Sequence, residues 1–321
     1  MKVRHDVPLS DVLWYRIGGT ARYLLEVGSA EDVTRAVDFV ESTRPARVFV
    51  VGLGSNLVFS DDYFDGAVVR IANGTAAEVR FPEPDLVEAF GGVVLDDVIR
   101  AAHDRGLVGL AWAGGLPGTV GAGVRGNVGA FGGEIKDSCE RAEIVRFRAD
   151  GCRREVLDHA ALDFSYRDSR VKQERDAIVA TVSLRLAPAD EARLAAAREE
   201  YAANIAYRRA RHPMEYPNCG SVFKNINRPE QVAAVLSVWP DIEDRVRSAW
   251  HGKVSMGFVI GRLGLAGYRV GGAQVSEKHN NFIVNLGGAR AADVRAIIDR
   301  VRTAVGETFG FVPEVEVEVV E

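Results

Sequence analysis

Several features that mark special classes of protein are scarce or absent in this sequence. Only three of the 321 residues are cysteine, Cys139, Cys152 and Cys219, and none of them lies in a C-x-x-C pair. An odd number of cysteines without paired spacing argues against a disulfide framework and against a cysteine zinc site. We therefore expect free thiols in a reducing compartment, and no metal site.

Long apolar runs and blocks of a single charge are also missing. No stretch approaches the about 20 apolar residues that cross a bilayer, and residues 1–11 hold no apolar core of a secretory signal. The 40 basic and 45 acidic residues are interspersed, and the formal net charge is −5. Without a basic stripe we expect neither nucleic-acid nor membrane binding. The sequence predicts a cytoplasmic globular protein.

Glycine, by contrast, is concentrated in one stretch. Residues 114–133 read GGLPGTVGAGVRGNVGAFGG, and nine of these twenty residues are glycine. A backbone without Cβ atoms can turn through positive φ and come close to a ligand, and its N–H groups can bind a phosphate. The spacing matches neither G-x-G-x-x-G nor the P-loop. Glycines required only by the sterics of a tight loop are the alternative interpretation.

A second glycine-rich loop ends a predicted β-α-β unit. The short buried strand at residues 47–51 runs directly into GLGSNL at residues 52–57. Ser55 and Asn56 supply hydroxyl and amide groups suited to phosphate oxygens, whereas Leu57 excludes the Rossmann fingerprint. Two such loops in one half of the chain predict a ligand with a pyrophosphate, such as a dinucleotide.

Periodic patterns place strands and helices around these loops. Residues 15–27 read as strand material broken by Gly18-Gly19. Residues 313–320 alternate strictly, as in a half-buried strand, so that their glutamates share one face. Ser29 is predicted to cap a helix. A long charged helix is predicted over residues 190–211, ending before Pro213. We place a domain boundary at its end.

Two polar clusters lie outside the glycine-rich loops. Residues 166–169, YRDS, stand between predicted strands, where a surface turn with one ion pair is the alternative interpretation. Residues 220–225 read GSVFKN. Ser221 has no base nearby in sequence, so the pattern gives little support to a nucleophilic role. The Arg, Lys, Asn and Gln residues in the second half of the chain predict that another anionic ligand binds to that half.

In this order, the motifs resemble the UDP-N-acetylenolpyruvoylglucosamine reductase family, the MurB flavoenzymes of bacterial cell-wall precursor synthesis. The resemblance spans nearly the whole chain and includes WYRIGG at 14–19, GLGSNL at 52–57, LPGTVG at 116–121, NVGAFG at 127–132, YRDS at 166–169, GSVFKN at 220–225 and GGAQVSEKH at 271–279. Each motif alone would be weak, whereas their order along one chain is specific.

The resemblance implies an α+β chain, with an FAD-binding fold of the vanillyl-alcohol-oxidase (PCMH) type in two subdomains and a C-terminal α+β substrate domain. We assign residues 1–72 and 73–210 to the subdomains and 211–310 to the substrate domain, with a C-terminal strand at 311–321 returning to the second subdomain. The chain looks like the shorter form of the family, without the loop that bears a lid tyrosine. Tyr207 and Tyr216 are candidate replacements, with core packing as their alternative role.

The family's reaction is implied in the same way. NADPH would reduce a non-covalent FAD, and hydride would then pass to UDP-N-acetylglucosamine enolpyruvate to give UDP-N-acetylmuramate. Arg167 would stabilise negative charge on the substrate carboxylate, and Ser221 would protonate the substrate. Glu314, in the Pro-Glu motif, is the third catalytic position. The family usually has arginine where this chain has Glu316.

Binding residues carry over from the matching motifs. Those expected to bind FAD are Gly52, Gly54, Ser55, Asn56, Leu57, Gly114, Pro117, Gly118, Thr119, Gly121, Asn127 and Gly129. Those expected to bind the sugar-nucleotide substrate are Tyr166, Lys224, Asn225, Gln274 and Lys278. We also expect a monomer.

Two other functions stay open from the sequence alone. One is an FAD-dependent oxidase of the same superfamily, many of which tether the flavin through a histidine. Neither glycine-rich loop contains a histidine, which favours a dissociable flavin. The other is a catalytically silent flavin or nucleotide binder, and the joint presence of Arg167, Ser221 and Glu314 argues against it.

Overall fold

The computed structural model describes residues 1–72, 74–148, 150–174 and 177–321. Its strands are β1 (Lys2–Pro8), β2 (Thr20–Val27), β3 (Val48–Val51), β4 (Leu57–Phe59), β5 (Phe64–Ile71), β6 (Val79–Glu83), β7 (Leu86–Phe90), β8 (Leu107–Val108), β9 (Gly129–Ala130), β10 (Gly133–Glu134), β11 (Cys139–Arg146), β12 (Arg153–Asp158), β13 (Ala177–Arg185), β14 (Ala187–Pro188), β15 (Asn218–Ser221), β16 (Arg269–Val270), β17 (Ala273–Val275), β18 (Phe282–Asn285) and β19 (Glu318–Val320). Its α-helices are α1 (Ala30–Thr43), α2 (Leu95–Asp104), α3 (Val120–Gly126), α4 (Arg170–Glu174), α5 (Glu191–Arg211), α6 (Pro229–Val238), α7 (Glu243–Ser248), α8 (Met256–Arg262) and α9 (Ala291–Phe309).

The chain divides into two compact units, and each unit is built from three separate segments of the sequence. Unit 1 contains Met1–Val7, Ala21–Leu53 and Tyr63–Ala210. Unit 2 contains Pro8–Thr20, Gly54–Asp62 and Arg211–Glu321. The last transition between the units falls where the long helix α5 ends. The finer assignment of three domains stays a prediction.

Unit 1 begins with a four-stranded sheet in the order β1-β2-β5-β3. Strands β2 and β3 both run parallel to β5, and Ala67 pairs with Tyr23 on one side and Val48 on the other. Strands β2 and β3 lie on either side of β5, and α1 supplies the crossover connection that joins these two parallel strands. The predicted cap is confirmed, because Ser29 Oγ accepts a hydrogen bond from the Asp32 N–H at 3.2 Å.

A second sheet of unit 1 is antiparallel, in the order β12-β11-β13-β7-β6. Its central strands are rich in β-branched residues, and Ile144, Val145 and Val182 are fully buried. Helix α3 packs against β13. The glycine-rich stretch that contains α3 is therefore held on a rigid sheet.

Unit 2 is built on an antiparallel sheet in the order β15-β18-β17-β16. Helix α9 packs against β16 and β17 and buries an apolar face at helical spacing that includes Val294, Ile298 and Val301. The helix begins under a carboxylate cap, since Asp61 accepts hydrogen bonds from the Ala291 and Ala292 N–H groups at 2.8 and 3.0 Å. A negative charge at this end is favoured by the free N–H groups of the first turn.

The break predicted at Gly18-Gly19 is present: the strand begins at Thr20, after Arg16 and Gly18, whose φ values of +54° and +143° interrupt the extended backbone. The other strand is shorter than predicted. The strand predicted over 313–320 is reduced to Glu318–Val320 and an isolated bridge at Val315. Pro313 has no N–H to donate to a ladder.

The C-terminal strand also has a different partner from the one expected. Strand β19 pairs in parallel with β4, with Glu318 opposite Leu57, rather than with a strand of residues 73–210. Both strands lie in unit 2. Across the ranges given above, no helix is long and apolar enough to span a membrane.

Candidate active site

Gly52, the first residue of the second glycine-rich loop, packs against the long glycine-rich stretch inside unit 1. Gly52 directly follows β3, and Thr119 directly precedes α3. A Cβ atom on Gly52 would lie 3.0 Å from Thr119 Oγ1 and 3.3 Å from Ala122 Cβ, so a glycine allows the strand end to pack on the start of the helix. At this point the structure brings together two loops that the sequence predicts to share one ligand.

The backbone N–H groups at this junction fall into two sets. Those of Val120 and Gly121 donate at 2.9 Å to carbonyl groups of residues 91 and 93. Among the described residues, no acceptor binds the N–H groups of Gly118 and Thr119, and a Cβ atom on Gly118 would meet open space. Residues 118 and 119 therefore fit a phosphate better than the first turn of α3 does.

Other glycines of the stretch are explained by packing within unit 1. A Cβ atom on Gly121 would lie 2.8 Å from Gly91 O, and one on Gly114 would lie 2.7 Å from Tyr201 O. Contacts this short with backbone atoms leave no room for a side chain. For these two positions, direct contact with a cofactor stays a prediction, and the close packing alone requires glycine.

Arg167 is held at the tip of a tight hairpin in unit 1. Ser165 and Asp168 exchange two backbone hydrogen bonds of 3.1 and 3.2 Å, so Tyr166 and Arg167 are the two central residues of the turn. Arg167 has φ of +60°, a conformation that usually favours glycine or asparagine. A non-glycine residue kept in this region is typical of a functional site.

The Arg167 guanidinium is fixed by the glycine-rich stretch. It donates to Gly129 O at 2.5 Å and to Asn127 O at 3.4 Å, and it lies 3.6 Å from Glu134 Oε1. Its Cζ atom lies 5.0 Å from the centre of the Tyr166 ring. The structure thus brings four residues of the predicted site together: Arg167, Tyr166, Asn127 and Gly129.

Asn127 acts as the link between this hairpin and the stretch. It is fully buried with φ of +41°, and its amide donates to Ser165 O at 2.7 Å and to Glu134 Oε2 at 3.2 Å. Its side-chain oxygen, Oδ1, accepts from the Lys136 N–H at 3.3 Å. The Asn127 side chain therefore holds the hairpin against the stretch, and its contact with the cofactor stays a prediction.

Arg208 is a candidate that sequence analysis missed. It is 6% exposed, donates from Nε to Gly114 O at 2.8 Å and packs over the Phe131 ring at 4.9 Å. Burial lowers its pKa to about 10. Its Nη2 atom is buried and has no partner in the described part of the chain. An unsatisfied buried cation beside this stretch fits an anionic cofactor.

Ser221 lies at the end of β15 in unit 2, opposite Phe282 of β18. The preceding residue, Gly220, has φ of +75°, and a Cβ atom there would lie 3.6 Å from Ser55 O. Ser221 is therefore carried on a bend beside the Ser55–Asn56 segment, and both belong to the same unit.

Glu314 and Lys224 form a pair in unit 2. Lys224 Nζ lies 3.3 Å from Glu314 Oε2, and the Lys224 N–H donates to Glu314 O at 3.0 Å. Arg228 donates to the other carboxylate oxygen, Oε1. Lys224, predicted to bind substrate, thus also anchors the predicted catalytic glutamate. Arg228 was not a candidate from the sequence.

The other predicted substrate residues of unit 2 have partners of their own. Asn225 Oδ1 accepts from the Met256 N–H at 3.1 Å at the start of α8. Gln274 donates to Gly267 O at 3.0 Å, and Lys278 lies 3.2 Å from Glu215. Their contact with substrate stays a prediction.

The thiols of all three cysteines have raised pKa values. Burial raises the pKa of Cys139 and of Cys219 to about 12, and that of Cys152 to about 11. A thiol is nucleophilic only as the thiolate. Cys219 is fully buried beside Tyr15, which agrees with a packing role.

Comparisons with known proteins identify the family. Residues 21–156 match the FAD binding domain family, and residues 212–320 match the UDP-N-acetylenolpyruvoylglucosamine reductase C-terminal domain. The chain is 40% identical over 319 residues to UDP-N-acetylenolpyruvoylglucosamine reductase 2 of Symbiobacterium thermophilum, covering 99% of this chain and 92% of the relative. The chain belongs to the UDP-N-acetylenolpyruvoylglucosamine reductase (MurB) family.

Further matches agree with this assignment. The reductase of Caldicellulosiruptor bescii is 35% identical over 314 residues, which are 98% of this chain and 89% of the relative. The crystal structure of MurB from Thermus caldophilus superimposes with a TM-score of 0.74 at 29% identity, over 100% of both chains. The predicted fold class and FAD as the cofactor are confirmed. The chain is a flavoprotein oxidoreductase of the MurB family.

Proposed function

We propose that this chain reduces UDP-N-acetylglucosamine enolpyruvate to UDP-N-acetylmuramate with NADPH as the hydride donor, a step of peptidoglycan precursor synthesis. The observation that carries this proposal is the 40% identity to a named reductase over 99% of the chain. The arginine, serine and glutamate of the motifs stand at residues 167, 221 and 314. A cytoplasmic, monomeric enzyme stays a prediction.

FAD, when bound, relays hydride from NADPH to C3 of the enolpyruvyl group. The chain's part is to bind and orient it. The N–H groups of Gly118 and Thr119 are placed to bind a phosphate, and the unpartnered Nη2 of Arg208 is a further donor. A hydrogen bond to a charged group contributes about 1.5–3 kcal/mol, so these three donors support tight but dissociable binding.

Arg167 is proposed to stabilise charge that develops on the substrate carboxylate. Hydride addition at C3 leaves negative charge at C2, which spreads into that carboxylate. A guanidinium already fixed by Gly129 O and Asn127 O needs little reorganisation as the charge develops. Its planar donor fork suits a carboxylate better than a lysine ammonium does.

Ser221 is proposed to supply the proton. Its hydroxyl proton goes to C2, so the double bond between C2 and C3 is replaced by two C–H bonds, one from hydride and one from Ser221. The serine oxygen then regains a proton from water. Glu314, held by Lys224 in the same unit, is proposed as the third catalytic group, which acts in the half-reaction with substrate.

An anaerobic titration tests the function directly. We expect the bound flavin to lose its absorbance band when NADPH is added, and to regain it when the enolpyruvyl sugar nucleotide follows. Recovery only with oxygen would indicate an oxidase, and no loss with NADPH would indicate a silent binder. Acid precipitation in parallel should release FAD into the supernatant, because no tethering histidine is present in either glycine-rich loop.

A further inference from the structure

The carboxylate of Glu314 is bound by two cations, one on each oxygen. Lys224 Nζ lies 3.3 Å from Oε2, and Arg228 Nη2 donates to Oε1. The Glu314 side chain is 43% exposed, so burial does little to fix its orientation. Two donors on different oxygens restrict rotation of the carboxylate plane, which one donor alone cannot do.

The two cations are anchored in different ways. Lys224 is tied to Glu314 by its own backbone, through the 3.0 Å hydrogen bond from its N–H to Glu314 O. Arg228 directly precedes α6, and its carbonyl accepts hydrogen bonds from the Gln231 and Val232 N–H groups at 3.0 and 2.9 Å. The base of the Arg228 side chain is therefore fixed by the first turn of a helix.

Negative charge follows Glu314 along the chain. Glu316 and Glu318 are the next alternate residues, and Glu316 donates its N–H to Val222 O at 2.8 Å, which keeps this segment beside the strand that carries Ser221. Loss of Arg228 would leave Lys224 alone to orient Glu314.

We propose that Arg228 is a positioning residue, which acts by holding the Glu314 carboxylate in its working orientation. The inference rests on the proposed role of Glu314 in the half-reaction with substrate. Arg228 itself is exposed (58% for the side chain) and is assigned no contact with FAD or NADPH. Its effect should be confined to flavin reoxidation by substrate.

The test compares Arg228→Gln with Arg228→Lys in the FAD-loaded enzyme, using stopped-flow absorbance for each half-reaction. We expect Arg228→Gln to leave flavin reduction by NADPH within about twofold of wild type and to slow reoxidation by substrate about tenfold. Because one donor atom makes the contact, Arg228→Lys should recover most of this rate. The melting temperature should be unchanged, since exposed ion pairs contribute little to stability.

The matched control is Arg247→Gln, which removes another exposed arginine–carboxylate pair of unit 2, with Asp244. It should leave both half-reactions unchanged. The double variant Arg228→Gln/Glu314→Gln shows whether Arg228 acts through Glu314. If Arg228 acts through Glu314, the double variant should be no slower than Glu314→Gln alone, because coupled residues are not additive.

The outcomes separate the inference from the proposed function. A slow Glu314→Gln variant with a normal Arg228→Gln variant would overturn the inference and leave the function intact. Additive losses in the double variant would show that Arg228 does not act through Glu314. A Glu314→Gln variant with wild-type reoxidation would remove Glu314 from the proposed mechanism and the inference with it. Equal losses in both half-reactions, without rescue by lysine, would assign Arg228 a structural role.

Discussion

Three alanine substitutions in the glycine-rich stretch should separate glycines that bind cofactor from glycines that permit packing. At Gly118 a Cβ atom would meet open space, at Gly121 it would lie 2.8 Å from Gly91 O, and at Gly126 it would again meet nothing within 4 Å. Gly121 and Gly126 lie in the same short helix, α3, so Gly126→Ala is a matched control for Gly121→Ala.

The expected magnitudes follow from these surroundings. Overpacking against backbone costs about 1–3 kcal/mol, and alanine regains about 1 kcal/mol of helix propensity over glycine. Gly121→Ala should therefore lose up to about 2 kcal/mol, or up to about 8 °C in melting temperature at about 2–4 °C per kcal/mol. Gly126→Ala should gain up to about 1 kcal/mol. Gly118→Ala should leave stability without FAD unchanged, because its Cβ atom meets open space. It should weaken FAD binding by about 10- to 100-fold, because the added Cβ atom would crowd the phosphate away from the N–H groups, at a cost like that of one charged hydrogen bond.

The assay is the melting temperature as a function of added FAD. A ligand that binds only the folded state stabilises it in proportion to ln(1 + [FAD]/Kd). Gly121→Ala should lower the whole curve without moving its onset, whereas Gly118→Ala should move the onset to higher FAD. If Gly118→Ala binds FAD within threefold of wild type, the phosphate site at residues 118 and 119 is wrong. If Gly121→Ala is as stable as Gly126→Ala, the packing explanation fails.

Three further predictions concern the reaction and the thiols. Arg167→Lys should lower turnover strongly at full flavin occupancy, because lysine lacks the planar donor fork of arginine. Steady-state rates, with the flavin content measured in parallel, test this prediction. Wild-type turnover would remove Arg167 from the mechanism. Ser221→Ala should leave flavin reduction by NADPH nearly unchanged and slow reoxidation by substrate about 10²–10⁴-fold, the usual contribution of a positioned acid. Ser221→Cys should recover part of the lost reoxidation rate. Stopped-flow absorbance measures the two steps separately. With thiol pKa values of about 11 to 12, incubation with a thiol reagent at pH 8 should leave activity intact, whereas rapid inactivation with labelled Cys219 would contradict the packing role.

Local patterns in the sequence predicted local structure well. The cap at Ser29 and the strand predicted over residues 47–51, before Gly52, follow from spacing over a few residues. Both are present in the structure, the strand as Val48–Val51. The sequence also revealed the motifs that contain Arg167 and Ser221, which the structure places in a hairpin and at the end of a strand. These signals are read within one element, so no knowledge of distant contacts is needed.

Membership of the short segment Gly54–Asp62 in unit 2 could not be predicted in this way. Strand β4 joins unit 2 because it pairs with β19, about 260 residues later in the chain (Leu57 opposite Glu318). A three-residue strand has no periodicity that specifies its partner. Arg208 was missed for a related reason, because it sits in a charged helix whose pattern predicts solvent exposure. Only the fold shows that it is buried with a free donor atom.

Main-chain hydrogen bonds tie three predicted functional segments of unit 2 to one another. Asn56 O, in the second glycine-rich loop, accepts from the Glu318 N–H at 3.1 Å, and Val222 O, next to Ser221, accepts from the Glu316 N–H at 2.8 Å. Glu314 O accepts from Lys224 in turn. The loop, the predicted proton donor and the predicted glutamate are therefore spaced by backbone rather than by side chains. Substitutions such as Ser221→Ala or Glu314→Gln leave that backbone frame in place, and this is why their kinetic effects can be assigned to the groups removed.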